Sequence, residues 1–114
     1  MPTIEELATM QLEAYNASDL GAFVACYHED VLVLADDEES LRGRVDFKER
    51  YRSLFEGAWD FGATVPQRLT AGAHCVDYET WWRIDPETGE RSEGVVLVRY
   101  SERDGLIGVV QFLS

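Results

Sequence analysis

Residues 73–113 read AHCVDYETWWRIDPETGERSEGVVLVRYSERDGLIGVVQFL, three runs of β-branched and aromatic residues interrupted by two turn signals. Asp85-Pro86-Glu87-Thr88-Gly89 parts Ala73–Ile84 from Arg91–Ser101, and Arg103-Asp104-Gly105 parts that run from Leu106–Leu113, which predicts two consecutive antiparallel hairpins. With each turn taken as the centre of its hairpin, His74 falls opposite Tyr100. One face then carries His74, Val76, Tyr78, Thr80 and Trp82 against Ser92, Gly94, Val96, Val98 and Tyr100, with Val110 and Phe112 beyond. This face is richer in aromatics and has no formal charge, so it is assigned to the interior. The other face mixes apolar and charged residues: Cys75, Asp77, Glu79, Trp81 and Arg83 with Val95, Leu97, Arg99, Val109, Gln111 and Leu113. There Asp77 and Glu79 are expected to pair with Arg99 and Arg83. A slip of one residue exchanges the two faces.

Upstream of this stretch the apolar spacing becomes helical. Thr3-Ile4-Glu5-Glu6 is a capping box. The helix it opens has an apolar stripe through Ile4, Leu7, Ala8, Ala14 and Tyr15, and Gln11 falls in the middle of it, which aims an amide at the core. Such an amide must be bonded there, either to neighbouring backbone or to a ligand. Asn16-Ala17-Ser18-Asp19 ends this helix and caps a second one, with Ser18 as N-cap, that buries Leu20, Phe23, Val24 and Tyr27 and ends at His28. Val31–Ala35 is a short strand, apolar throughout. Asp36-Asp37-Glu38-Glu39 lacks the alternating ligands and glycine of a metal loop and reads as solvated. A third helix carries Phe47, Tyr51, Leu54 and Phe55 on one face and ends at Gly57, with Asp46 and Arg50 as an i, i+4 pair. From Phe61 to Thr70 the alternation is that of a strand, and Pro66 confines it to an edge or a bulge.

The chain of 114 residues, with no break in composition, is expected to form one domain over residues 1–114. Its net charge of −12 argues against nucleic acid and anionic membrane as partners. Cys26 and Cys75 lack metal or redox spacing, and no signal peptide or long apolar run is present, so a cytoplasmic protein with free thiols is expected. No motif for a metal or cofactor is found.

The order of elements, three amphipathic helices with a short strand pair between the second and third, then a long meander, is α+β with helices packed on one face of a curved sheet. At this point the chain resembles the nuclear-transport-factor-2-like superfamily, a conical, cystatin-like fold shared by SnoaL-like polyketide cyclases, ketosteroid isomerases and limonene epoxide hydrolases. The residues that carry the resemblance are Tyr15-Asn16-Ala17-Ser18-Asp19-Leu20, Tyr27-His28-Glu29-Asp30-Val31, Leu41-Arg42-Gly43-Arg44, Gln67-Arg68-Leu69, Val76-Asp77-Tyr78-Glu79 and Tyr100 through Ile107.

The resemblance places the isomerase's oxyanion-hole tyrosine on Gln11, its general-base aspartate on Ala35 and its protonated aspartate on Val96. All three groups are absent, so that reaction is not supported. Asp36 lies one residue from the lost base and points the other way. The resemblance implies a pocket around Gln11, Val96, Val110 and Phe112. His74, Tyr78 and Tyr100 are its candidate catalytic residues, because a histidine can move a proton near neutral pH. Tyr15, Tyr51 and Gln67 are further polar candidates, and Phe55, Trp59 and Trp82 complete the walls. Three functions stay open: an isomerase, dehydratase or cyclase acting on a small apolar or aromatic metabolite, a non-catalytic pocket for such a molecule, or a protein-interaction dimer. The apolar outer sheet face, with Trp81, Val95, Leu97, Val109 and Leu113, suits a homodimer.

Overall fold

The computed structural model describes all 114 residues. Thr3 caps helix α1 (Ile4–Asn16): its side chain accepts from the Glu6 amide, and Glu6 reaches back to the Thr3 amide at 3.1 Å. At the other end Asn16 acts as a substitute strand residue, donating to Ala63 O at 2.9 Å and accepting from Ala63 N at 2.8 Å. Helix α2 (Leu20–Val24) is a single short segment capped by Asp19, with Ser18 taking the positive φ before it. The sequence expected Ser18 as cap and a longer helix ending at His28. Instead Tyr27 and His28 open strand β1 (Tyr27–Ala35), and His28 bonds Asp104 at 3.3 Å.

The acidic run begins as a turn at Asp36 and Asp37 and then enters strand β2 (Glu38–Arg42), which pairs antiparallel with β1. Helix α3 (Arg44–Glu56) buries Phe47, Leu54 and Phe55. Its Arg50 does not pair with Asp46; it bonds Ser40 on the neighbouring strand. The meander follows as β3 (Asp60–Ala71), β4 (His74–Ile84), β5 (Arg91–Arg103) and β6 (Leu106–Leu113). The six strands are ordered β2-β1-β6-β5-β4-β3, all antiparallel except the β1–β6 pair. The α+β fold with helices inside a curved sheet is therefore as expected. No helix is long and apolar enough to cross a membrane.

The first hairpin differs from expectation by one residue, and the difference exchanges the faces of β4. Ile84 pairs with Arg91 and His74 with Ser101, not with Tyr100. The reason is the turn. Asp85 N donates to Glu90 O at 2.9 Å and Gly89 N to Asp85 O at 2.8 Å, with Gly89 at φ 72°, so all six residues 85–90 lie between the strands. The Asp85 side chain accepts from Glu87 N, and Thr88 accepts from Glu90 N, which stabilises the loop locally. Cys75, Asp77, Glu79, Trp81 and Arg83 consequently face the helices, while His74, Val76, Tyr78, Thr80 and Trp82 face away. In β5 and β6 the expected parity holds, so Val96, Val98, Tyr100, Val110 and Phe112 point inward. The second hairpin turns through Asp104 and Gly105, both at positive φ.

An irregularity in β3 follows from Pro66, as expected. The β3–β4 register shifts between Thr64 and Gln67, so Phe61 and Ala63 face inward before it and Arg68 faces inward after it, while Gln67 and Leu69 turn outward. Arg68 thereby meets Asp77, which is fully buried, and donates to its Oδ2 at 2.9 Å. It also donates to Thr9 Oγ1 at 2.7 Å and Glu5 O at 3.2 Å, tying the sheet to α1. The pairing of Asp77 with an outer Arg99 is thus replaced by an inner one, and Arg99 bonds Gln111 and Ser101 instead.

A buried charge left without its partner is strongly destabilising, whereas an exposed pair contributes little. Asp77→Ala is expected to lower the unfolding free energy in urea by about 3–5 kcal/mol, against under about 1 kcal/mol for breaking the exposed Arg42–Glu39 pair.

Candidate functional site

Between the helices and the concave sheet lies a chamber of about 230 Å³. Gln11, Leu12 and Tyr15 reach it from α1, Phe23 from α2, Tyr27 from β1, and Phe47 and Tyr51 from α3. The sheet contributes Glu79, Trp81 and Arg83 from alternate positions of β4, with Val96, Tyr100, Val110 and Phe112. Aromatic packing sets the helical side. Phe23 lies against Tyr15, Tyr27, Phe47, Tyr51 and Phe55 at centroid distances of 5.9, 5.2, 5.7, 5.0 and 5.1 Å. On the sheet side Trp81 lies over Gly94, its cross-strand neighbour, where an added Cβ would stand 2.9 Å from the indole.

The polar groups divide into satisfied and free. Tyr27 donates to Gln11 Oε1 at 2.9 Å, while Gln11 Nε2 donates to Ala8 O at 3.0 Å and to Tyr100 Oη at 3.3 Å. The amide in the middle of the α1 stripe is thus bonded to both backbone and side chains. The hydroxyl protons of Tyr15, Tyr51 and Tyr100 have no acceptor in the protein. Burial raises all three phenols: Tyr51 is pushed up to about 12, and Tyr100 well above its usual value. They are neutral hydrogen-bond donors at any ordinary pH.

Glu79 is withdrawn from solvent yet makes no ion pair or hydrogen bond, unlike the bonded Asp77 and the exposed carboxylates elsewhere on the sheet. Burial, reinforced by the Asp77 charge two residues away on the same face, pushes its carboxyl up to about 7; Arg83 opposes the shift only in part. A carboxyl poised there can accept or release a proton at neutral pH. No three His, Cys, Asp or Glu side chains converge as metal ligands.

Of the residues singled out from sequence, Gln11, Tyr15, Tyr51, Val96, Tyr100, Val110 and Phe112 come together around the chamber. Phe55 stands behind them against Tyr15 and Phe61. Trp59 lines a separate cavity beside Tyr51. His74, Tyr78, Gln67 and Trp82 do not reach the site, because the register of β4 and the bulge of β3 turn them to the outer face. His74 there is exposed and bonds Ser101 Oγ at 2.7 Å, and Trp82 packs on Gly62 beneath the Arg91 guanidinium. Ala35 is exposed at the end of β1, and Asp36 bonds Ser114; neither lines the chamber. Sequence reasoning missed Glu79, Trp81 and Arg83. The signal that would have found them is the even number of residues from Asp85 to Glu90, which centres the turn between residues rather than on Glu87.

Comparison with known proteins gives the fold a family. Residues 8–109 match the model of the SnoaL-like domain. No curated protein sequence matches the chain. Among solved structures, a cystatin-fold protein from Novosphingobium aromaticivorans superposes with a TM-score of 0.86 at 18% identity, with 100% of both chains covered. The Δ5-3-ketosteroid isomerase of Mycobacterium sp. has a TM-score of 0.85 at 14% identity, over 97% of this chain and 92% of that one. The Mycobacterium tuberculosis protein Rv0760c, in complex with estradiol-17β-hemisuccinate, has a TM-score of 0.84 at 13% identity, with the same coverage of 97% and 92%. At these identities the likeness is one of fold.

The raised carboxyl also predicts how stability varies with pH. Glu79 is released from its proton near 4.5 in the unfolded chain and near 7 in the folded one, so its contribution is fully present below 4.5 and lost as pH rises to 7. Glu79→Gln is expected to abolish this slope and to stabilise the protein above pH 7 by up to about 3 kcal/mol, read from urea titrations at pH 4.5 and 8. Equal effects of the substitution at both pH values would contradict the burial of the charge.

Proposed function

We propose, from the premise that this chain belongs to the family of SnoaL-like domains, that its chamber takes up a small apolar or aromatic molecule and that Glu79 moves a proton on it. The observation that carries the reading is a carboxyl with no protein partner, titrating at about 7, inside a chamber walled mainly by aromatic side chains. Relatives in fold include a ketosteroid isomerase and a protein in complex with an estradiol ester, which supports an apolar ligand here. The chamber volume lies below the usual range of roughly 300–1,000 Å³ for ligand pockets, which favours one or two rings.

In the reaction the Glu79 carboxylate takes a proton from the carbon next to a carbonyl. The electron pair of the broken C–H bond moves onto the carbonyl oxygen, which accepts hydrogen bonds from the free hydroxyls of Tyr15, Tyr51 or Tyr100. The protonated Glu79 then returns its proton to another carbon, completing an isomerisation, or to a departing hydroxyl, completing a dehydration. Neither outcome requires a cofactor. Gln11 and Tyr27 hold Tyr100 in place and do not exchange protons with the substrate.

The chemistry is testable without the natural substrate. Exchange of the α-protons of 2-tetralone in D2O, followed by proton NMR, should be accelerated by the protein, with a rate that rises through pH 7 as Glu79 ionises. Glu79→Gln should lower that rate by about a hundredfold or more. An exchange rate unchanged by the substitution would exclude Glu79 as the base.

A homodimer formed through the outer sheet face is a second part of the proposal. Leu69, Tyr78, Val95 and Leu97 are 79, 40, 57 and 42% exposed on that face, an apolar patch that a twofold copy would cover. Light scattering of the purified protein should give twice the 12.9 kDa chain mass, and Leu97→Lys should return it to the monomer. A monomeric wild-type protein at micromolar concentration would refute this arrangement.

A further inference from the structure

A second cavity of about 220 Å³ adjoins the chamber, and Tyr51 and Arg83 stand in the wall that the two share. Its other lining residues are Arg50, Ser53, Leu54 and Trp59. Two guanidinium groups thus border one cavity in which no acidic side chain takes part, within a chain whose net charge is −12.

Neither arginine is neutralised. Arg50 donates to Ser40 Oγ at 2.9 Å and to Ser40 O at 3.2 Å, contacts that carry no charge, and its remaining donors have no protein partner. Arg83 makes no ion pair, and the nearest polar group to its guanidinium, the Tyr15 hydroxyl, carries no charge. The Arg83 Nε is completely enclosed without an acceptor, although every other arginine of the chain has a hydrogen-bond or ion-pair partner. A buried donor without a partner is costly, and native proteins rarely leave one without a reason. The Arg83 guanidinium is held over the Trp81 ring, 5.7 Å from its centroid, so its position is fixed by packing and not by an ion pair.

We infer that the second cavity receives the carboxylate of the ligand, gripped between Arg83 and Arg50, while the ligand's ring system lies over Trp81 in the chamber. The inference rests on the proposed role of the chamber and names its substrate class: an aromatic or alicyclic acid. A carboxylate in this cavity accepts charge-assisted N–H bonds from the terminal amino groups of the two guanidinium groups that line it. Glu79, Trp81 and Arg83 occupy alternate positions of one strand, so the backbone positions of the proton-transfer group and the anchor are about 13 Å apart. A molecule of one or two rings with a short acidic side chain fits between the two side chains. It would present its reactive carbon to Glu79 at one end and its charge to the arginines at the other. This arrangement also keeps two negative groups apart, with an aromatic ring between them.

Calorimetric titration of the full chain with 2-naphthylacetate and with its uncharged analogue 2-naphthylacetamide tests the inference. The ratio of the two affinities is the readout, since it cancels changes in packing that affect both probes. Wild-type protein should bind the acid about tenfold more tightly than the amide. The ratio should fall to within about twofold of unity in Arg83→Gln and should decrease in Arg50→Gln, which alters an exposed helix position and keeps the test valid should the first variant fail to fold. Equal affinities in the wild type, or a preference that survives both substitutions, would overturn the anionic anchor while leaving the chamber as a binding site. Binding of neither probe would overturn the chamber reading and this inference together.

Discussion

The pairing of Ile84 with Arg91 fixes which side chains of β4 enter the core, and the site follows from it. Side chains alternate along a strand, so one residue of register decides between two complete sets. In the observed set Cys75, Asp77, Glu79, Trp81 and Arg83 are directed at the helices, which brings Glu79 and Arg83 beneath an aromatic cluster. The loop of residues 85–90 enforces this choice through its backbone bonds and the left-handed Gly89. The bulge at Pro66 then supplies the compensation, since it turns Arg68 inward opposite Asp77.

Two acids on one strand face therefore have different chemistry. Asp77 is bonded by Arg68 and serves as a structural joint between β3, β4 and α1. Glu79, two residues on, has no such partner, and the buried Asp77 charge beside it makes ionisation harder still. Asp77 thus has a double effect: its bonds to Arg68 stabilise the sheet-to-helix contact, and its charge raises the proton affinity of Glu79. Arg83, four residues on in the same row, makes no ion pair with Glu79 and offsets the shift only in part.

The surroundings of this row are rigid and mostly apolar. Phe23 touches five other rings, and Gln11 is bonded to Ala8, Tyr27 and Tyr100, so the walls have few alternative arrangements. Against such walls the hydroxyls of Tyr15, Tyr51 and Tyr100, whose protons have no acceptor, and the Arg83 side chain are the polar groups at the chamber surface. A site of this kind combines a preformed apolar space with a few directed polar groups, which is the arrangement that gives orientation as well as binding.

Local signals made much of this legible in the sequence. The capping box at Thr3, the stripe that carries Gln11 inward, the strand break at Pro66 and the alternation in β5 and β6 each depend on neighbours within a few residues, and each has the expected result. The resemblance in residue order was enough to identify the fold and to bring seven of the pocket residues together. What sequence could not decide is the phase of β4, because its two faces are nearly matched: Val76, Tyr78 and Trp82 are as apolar as Cys75 and Trp81. Composition favoured the uncharged face for the core. The fold buried the charged one, since Arg68 was available from a different strand to neutralise Asp77, and that partner is found only once β3 and β4 are paired. Hydrophobic patterning is local and can be read along the chain; the solvation of a buried charge depends on what the tertiary structure places beside it.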